Sequence, residues 1–99
     1  MSKKIEVLVI LDNPKAQNID LFEEYLKKEG FEAVENEIFA YRGFSTTPTF
    51  NTRAYIFGVF SRAFEMAKVF TCKLVCQIGE NHPEVYLYEE NGEFFKELS

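Results

Sequence analysis

Lys4-Ile5-Glu6-Val7-Leu8-Val9-Ile10-Leu11-Asp12 reads as a central β-strand. Ile5, Val7, Val9 and Leu11 alternate with Glu6, Leu8, Ile10 and Asp12. A strand that is apolar on both sides has neighbours on both edges and cover on both faces. The first set should face helices. The second set is apolar in its middle, so the opposite face of the sheet calls for cover as well. The strand carries one carboxylate, Asp12, to its C-terminal end.

Downstream of this strand, Asn13-Pro14 marks a turn, because proline holds the preceding residue extended. A helix is expected from about Gln17 or Asn18 to Glu29, with Asn18 or Asp20 at its start. Its apolar stripe is Leu21, Phe22, Tyr25 and Leu26, and Gly30 is its stop. A second strand, about Phe31 to Tyr41, is polar in its first half and suits a sheet edge. Arg42 to Thr52 reads as a Thr-rich loop. Arg53 to Phe60 is apolar almost throughout, and its aromatic and β-branched residues with an internal Gly58 predict a central third strand.

Ser61 is placed to cap a second helix running to about Phe70, with Ala63, Phe64, Met66, Ala67 and Phe70 inward. Cys72 to Ile78 alternates as a half-buried fourth strand. Val85–Tyr88 and Glu93–Phe95 flank Asn91-Gly92, the strongest short hairpin signal. Residues 1–3 read as a frayed start. The order is β-α-β-β-α-β plus a C-terminal hairpin. It predicts one α+β domain over residues 1–99, a ferredoxin-like sandwich with strand order 4-1-3-2 and both helices on one face. Leu8, Ile10 and part of the third strand would lie on the open face.

Composition fits a single domain that needs a partner. The 99 residues include eleven Phe and five Tyr, more aromatic surface than a domain of this size can hide. A homodimer of C2 symmetry, closed through the sheet face, is therefore expected. Sixteen acidic residues against eleven basic ones leave a net charge of −5, which argues against a general nucleic-acid coat. The three arginines are Arg42, Arg53 and Arg62. Two cysteines are too few for a disulfide framework, the N-terminal run does not read as a signal peptide, and the apolar stretches fall short of a membrane span. The expected location is the cytoplasm, with no membrane partner.

Several residues invite chemistry. Asp12, at the tip of a central strand, is placed for metal or general-base work, and two copies across a dimer axis would share one Mg²⁺. It is equally placed to cap the Asn13-Pro14 turn. The loop from Arg42 to Arg53 carries hydroxyls, two Arg and Phe44 and Phe50, a set suited to gripping phosphate and stacking bases, or to folding its rings onto the core. Cys72 and Cys76 lack zinc-site spacing and read as core thiols. His82 has no evident nucleophile or orienting partner beside it. Glu89-Glu90-Asn91-Gly92-Glu93 is a solvated hairpin tip or an acidic lure for a basic partner.

The segment from Val7 to Asp12, the helix after it, and Gly30-Phe31-Glu32-Ala33-Val34-Glu35-Asn36-Glu37-Ile38-Phe39-Ala40-Tyr41-Arg42-Gly43 resemble the small CRISPR adaptation nuclease-like family. They are similar also to its toxin–antitoxin relatives, the VapD-type ribonucleases and the GhoS-type antitoxin. The resemblance covers roughly the first 43 residues. It implies a ferredoxin-like dimer in which Asp12 stands at the metal-binding aspartate.

Two functions follow. The favoured one is a small dimeric interaction or regulatory module without catalysis or cofactor of its own, binding a protein partner through the sheet face and C-terminal hairpin. The alternative is a Mg-dependent endoribonuclease or RNA-directed antitoxin. There Asp12 would be catalytic and metal-binding, and Arg42, Phe44 and Arg53 would hold RNA.

Overall fold

The structure is a computed structural model that describes residues 4–89 and 92–96. It has two layers: a six-stranded antiparallel sheet and two helices packed on one of its faces. The elements are β1 (Ile5–Leu11), α1 (Ile19–Lys28), β2 (Glu32–Ala33), β3 (Ala40–Ser45), α2 (Thr49–Met66), β4 (Cys72–Ile78), β5 (Glu84–Tyr88) and β6 (Phe94–Lys96). Across the sheet the order is β2-β3-β1-β4-β5-β6.

β1 is central, as its two-sided apolar pattern requires, paired with β3 on one edge and β4 on the other. Val7, Val9 and Leu11 are buried against the helices, while Ile10, on the other face, is 42% exposed. α1 begins where expected. Asn18 Oδ1 accepts the Leu21 N–H at 3.0 Å, satisfying one of the unpaired donors of the first turn. Gly30 follows the helix with φ +98°, a conformation that glycine adopts without steric cost. Phe22 and Leu26 are its buried stripe.

The region expected as the second strand is a short hairpin instead. β2 covers only Glu32–Ala33, and the chain then turns through Asn36 and Phe39, both at positive φ, into β3. Asparagine tolerates the left-handed conformation better than most residues, which makes Asn36 the break point. The expected loop from Arg42 to Thr52 therefore begins inside β3 and ends inside α2.

The larger correction is Arg53 to Phe60, which is the middle of α2 and not a strand. Its buried positions are Thr52, Ile56, Val59, Phe60, Ala63 and Phe64. That is the i, i+4, i+7, i+8, i+11, i+12 series of one helix face. Aromatic and β-branched residues favour strands only where they meet a pleated surface; here they meet a helix seam. Ser61 accordingly lies inside α2 instead of at its start, and the helix ends at Met66, with Ala67 as its C-cap, rather than at Phe70.

β4 spans the predicted Cys72–Ile78, with Cys72, Leu74, Cys76 and Ile78 buried. β5 and β6 form the expected C-terminal hairpin, with Tyr88 opposite Phe94. Of its Asn-Gly turn, Gly92 has φ +87°, and Asn91 lies outside the described residues, as do residues 1–3. Phe22, Phe60 and Phe64 are fully buried; Phe22 stacks on Phe64, and Phe60, Tyr41 and Tyr88 meet these rings at tilted or edge-on angles. Many of the aromatic residues thus build the core seam between the helices and the sheet.

Candidate functional site

Strand pairing fixes which side chains share the face of the sheet away from the helices. Residues directly opposite each other in an antiparallel pair point the same way. Glu6 pairs with Phe44, Leu8 with Arg42 and Gln77, and Ile10 with Ala40 and Val75. Val75 pairs with Val85, Lys73 with Leu87, and Leu87 with Phe95. The open face is therefore an apolar band of Leu8, Ile10, Val75, Val85, Leu87 and Phe95. Ile10, Leu87 and Phe95 are 42%, 39% and 47% exposed. Glu6, Glu32, Arg42, Gln77 and Lys73 edge the band. The third strand's expected share of this face comes instead from β4, β5 and β6.

Asp12 lies just beyond β1 and is exposed. Its Oδ1 accepts the Asn13 N–H at 3.0 Å, and Asn13 Oδ1 accepts the Lys15 N–H at 3.1 Å. These are short-range turn bonds that stabilise the chain reversal at Pro14. Among the described residues, no group of three or more His, Cys, Asp or Glu is placed to hold a metal ion.

Arg42 is on the open face of β3. Its Nε lies 3.8 Å from Glu6 Oε2, and both side chains are more than half exposed, an ion pair of little energetic weight. Arg53 is on α2, on the opposite side of the sheet. Its guanidinium donates to both oxygens of Glu84, at 2.7 and 2.6 Å. Tyr86 Oη also donates to Glu84 Oε1. The Arg53 hydrogen bond, then that from Tyr86, holds the Glu84 carboxyl below its usual range against the cost of burial. Burial, and then Glu84, pushes the Tyr86 phenol up to about 12. The Arg53 charge is thus matched by a carboxylate of its own chain.

The structure does not gather Asp12, Arg42, Phe44 and Arg53 into one site. Phe44 pairs with Glu6, six residues back along β1 from Asp12, which is roughly 20 Å along a strand. Phe44 and Phe50 are both exposed, 61% and 76%, so neither folds onto the core. Cys72 and Cys76 are buried, and burial raises their thiols to about 12 and about 11, which leaves almost no thiolate for chemistry at neutral pH.

Beside Gly43 and Ser45 lies a feature that strand and helix periodicity did not show. A groove of about 370 Å³ runs between the end of α1, the end of β3 and the start of α2. Phe31 and Tyr55 supply its rings and Glu29 its only carboxylate, while Phe44 borders it from β3 with its side chain on the other face of the sheet, opposite Glu6. Phe31 and Tyr55 stack with centroids 6.2 Å apart. Tyr55 Oη donates toward the Glu29 carbonyl oxygen at 2.9 Å and Glu29 Oε2 at 3.2 Å. Gly43 forms part of the wall because a Cβ there would come within 3.0 Å of the Gly30 carbonyl oxygen and 3.1 Å of the Phe31 ring. These residues come from three separate elements, and reading α2 as a strand disperses them.

No helix among the described residues is long and apolar enough to cross a membrane. No family model, curated protein or solved structure matches the chain.

Proposed function

We propose that this chain is a ferredoxin-like interaction module without catalysis of its own, dimerising through the open face of its sheet and offering its C-terminal hairpin to a protein partner. The order β2-β3-β1-β4, with one helix between β1 and β2 and another between β3 and β4, is the arrangement that this reading needs. β5 and β6 then extend the sheet beyond β4. The observation that carries the proposal is the apolar band of Ile10, Val75, Val85, Leu87 and Phe95, which both helices leave uncovered.

Six strands of up to seven residues give a flat footprint of roughly 550 Å². Side-chain relief brings this to the order of the ~800 Å² per partner of a standard interface. Charges of both signs at the edges, Glu6 and Glu32 beside Arg42 and Lys73, let a second copy meet the face without net repulsion. Analytical ultracentrifugation at micromolar concentration tests this. The wild type should sediment as a dimer, and Ile10→Asp or Leu87→Asp as a folded monomer. A wild type that stays monomeric at all concentrations would refute it.

The alternative, a Mg-dependent endoribonuclease or RNA-directed antitoxin, draws on the exposure of Asp12 at the C-terminal tip of the central strand. It requires Mg²⁺-induced NMR shifts centred on Asp12 that vanish in Asp12→Ala, and cleavage or binding of a short single-stranded RNA. Silence to both metal and RNA leaves the interaction module.

A further inference from the structure

The groove beside Gly43 and Ser45 lies on the helix side of the sheet, away from the open face. Its floor is apolar: Val7, Phe31 and Ile56 line it and are 2%, 4% and 0% exposed. Three oxygens converge at one end. Tyr55 Oη lies 2.9 Å from the Glu29 carbonyl oxygen and 3.2 Å from Glu29 Oε2. The phenol has one proton for two acceptors, so this cluster keeps unused acceptor capacity. Among the described residues that line the groove, none is Lys or Arg.

Glu29 is placed against the needs of its own helix. It is the C-cap of α1, and the C-terminal end of a helix is the negative pole, where a carboxylate is unfavourable. Lys27 and Lys28, in the last turn, are the residues that such a pole favours. A cation supplied from outside would offset the cost. The Tyr55 ring beside the carboxylate adds attraction through its quadrupole, and the net charge of −5 adds it at long range.

A second hollow shows what charge alone would select. Asp20, Glu23, Glu24 and Glu32 line it with Lys27, and Ala33 is its only apolar residue. A bare cation is drawn there at least as strongly. Only a cation with an apolar part gains from the floor of the groove.

We propose that the groove binds a small primary ammonium compound with a short apolar tail. The ammonium, a compact head with three donors, bonds to Glu29 O, Glu29 Oε2 and Tyr55 Oη. The tail lies along Phe31 over Val7 and Ile56. The site does not rest on dimerisation through the open face, so it stands or falls separately from the function proposed above.

The test is an NMR titration of the full chain with isopentylamine, with isopentyl alcohol and methylamine as controls. The alcohol keeps the tail without the charge, and methylamine keeps the charge without the tail. Isopentylamine should bind in the low-millimolar range and shift the amides of Glu29 to Phe31, Gly43 and Tyr55. The alcohol should bind at least about fivefold more weakly, and Glu29→Gln should weaken the amine by a similar factor. This variant removes a charge that α1 does not need, so it folds. Tyr55→Phe keeps the ring against Phe31, removes one of the three oxygens, and should weaken the amine about threefold. Equal affinity for amine and alcohol, shifts spread over the acidic residues of α1, unchanged affinity in Glu29→Gln, or no binding by isopentylamine at low-millimolar concentration would each overturn the proposal. Methylamine binding the groove as tightly as isopentylamine would overturn the role of the apolar floor.

Discussion

Glu84 shows how a single side chain can be committed by its neighbours. Arg53 and Tyr86 both donate to it, and the pair is largely enclosed, with 28% and 18% of the Arg53 and Glu84 side chains exposed. Because these bonds hold the folded-state pKa of Glu84 below its unfolded value, the unfolded chain binds the proton more readily in acid. The stability that the cluster contributes is therefore complete above the ordinary carboxyl pKa, about 4.3, and is lost as pH falls through the lower folded value. Glu84→Gln should cost about 2 kcal/mol at pH 7, as expected for a charge-assisted, bidentate contact. The gap from wild type in urea unfolding should close as pH falls below about 4. A gap that persists undiminished at pH 3 would mean that packing, not charge, holds the cluster. Arg53 was legible in the sequence as a basic residue but not as a neutralised one, because Glu84 is 31 residues away and meets it only through the fold.

At the level of elements, β1, α1 and β4 were legible because each carries one unambiguous period: two-sided apolar, amphipathic with an Asn cap, and strict alternation. α2 was not. Its run Tyr55-Ile56-Phe57-Gly58-Val59-Phe60 has strand-like composition, and only Thr52, Ala63 and Phe64 outside that run reveal the helical spacing. Gly58 strengthened the strand reading, yet it sits exposed in the middle of α2, where an added Cβ would meet nothing within 4 Å. Glycine there costs the helix its backbone entropy without serving a close approach. Gly58→Ala should therefore stabilise the protein by about 0.5–1 kcal/mol, a rise in Tm of several degrees by calorimetry. Destabilisation would mean that something outside this chain approaches the exposed face of α2. The contrast with Gly43 is instructive: a methyl group there must displace the Phe31 ring or the Gly30 carbonyl, so Gly43→Ala should be destabilising and should deform the groove.

For the whole molecule, the order of elements gave an α+β fold, and composition gave more aromatic residues than a small core should need. The structure divides that surplus. The rings of Phe22, Phe60, Phe64, Tyr41 and Tyr88 fill the layer between helices and sheet, while Phe44, Phe50, Phe70 and Phe95 remain exposed. The groove was not legible, because its walls come from three elements whose relative placement depends on α2 being a helix. The need to cover the open sheet face was legible, and the geometry of the sheet-face dimer proposed to meet it makes a solution measurement decisive. A single chain has a Cα radius of gyration of 12.7 Å and extents of 40 × 30 × 22 Å. The shortest extent matches the thickness of one helix layer on one sheet layer, each ~10 Å, so it lies across the two layers. Two copies meeting sheet to sheet place their centres about one thickness apart, and combining the two bodies gives a radius of gyration of roughly 17 Å. Copies meeting end to end along the long axis would give roughly 24 Å instead, while a monomer stays near 13 Å. Small-angle X-ray scattering of the wild type should return the intermediate value, and Leu87→Asp should return the monomer's. A dimer with the larger value would place the interface at the ends of the long axis and refute the sheet-face dimer.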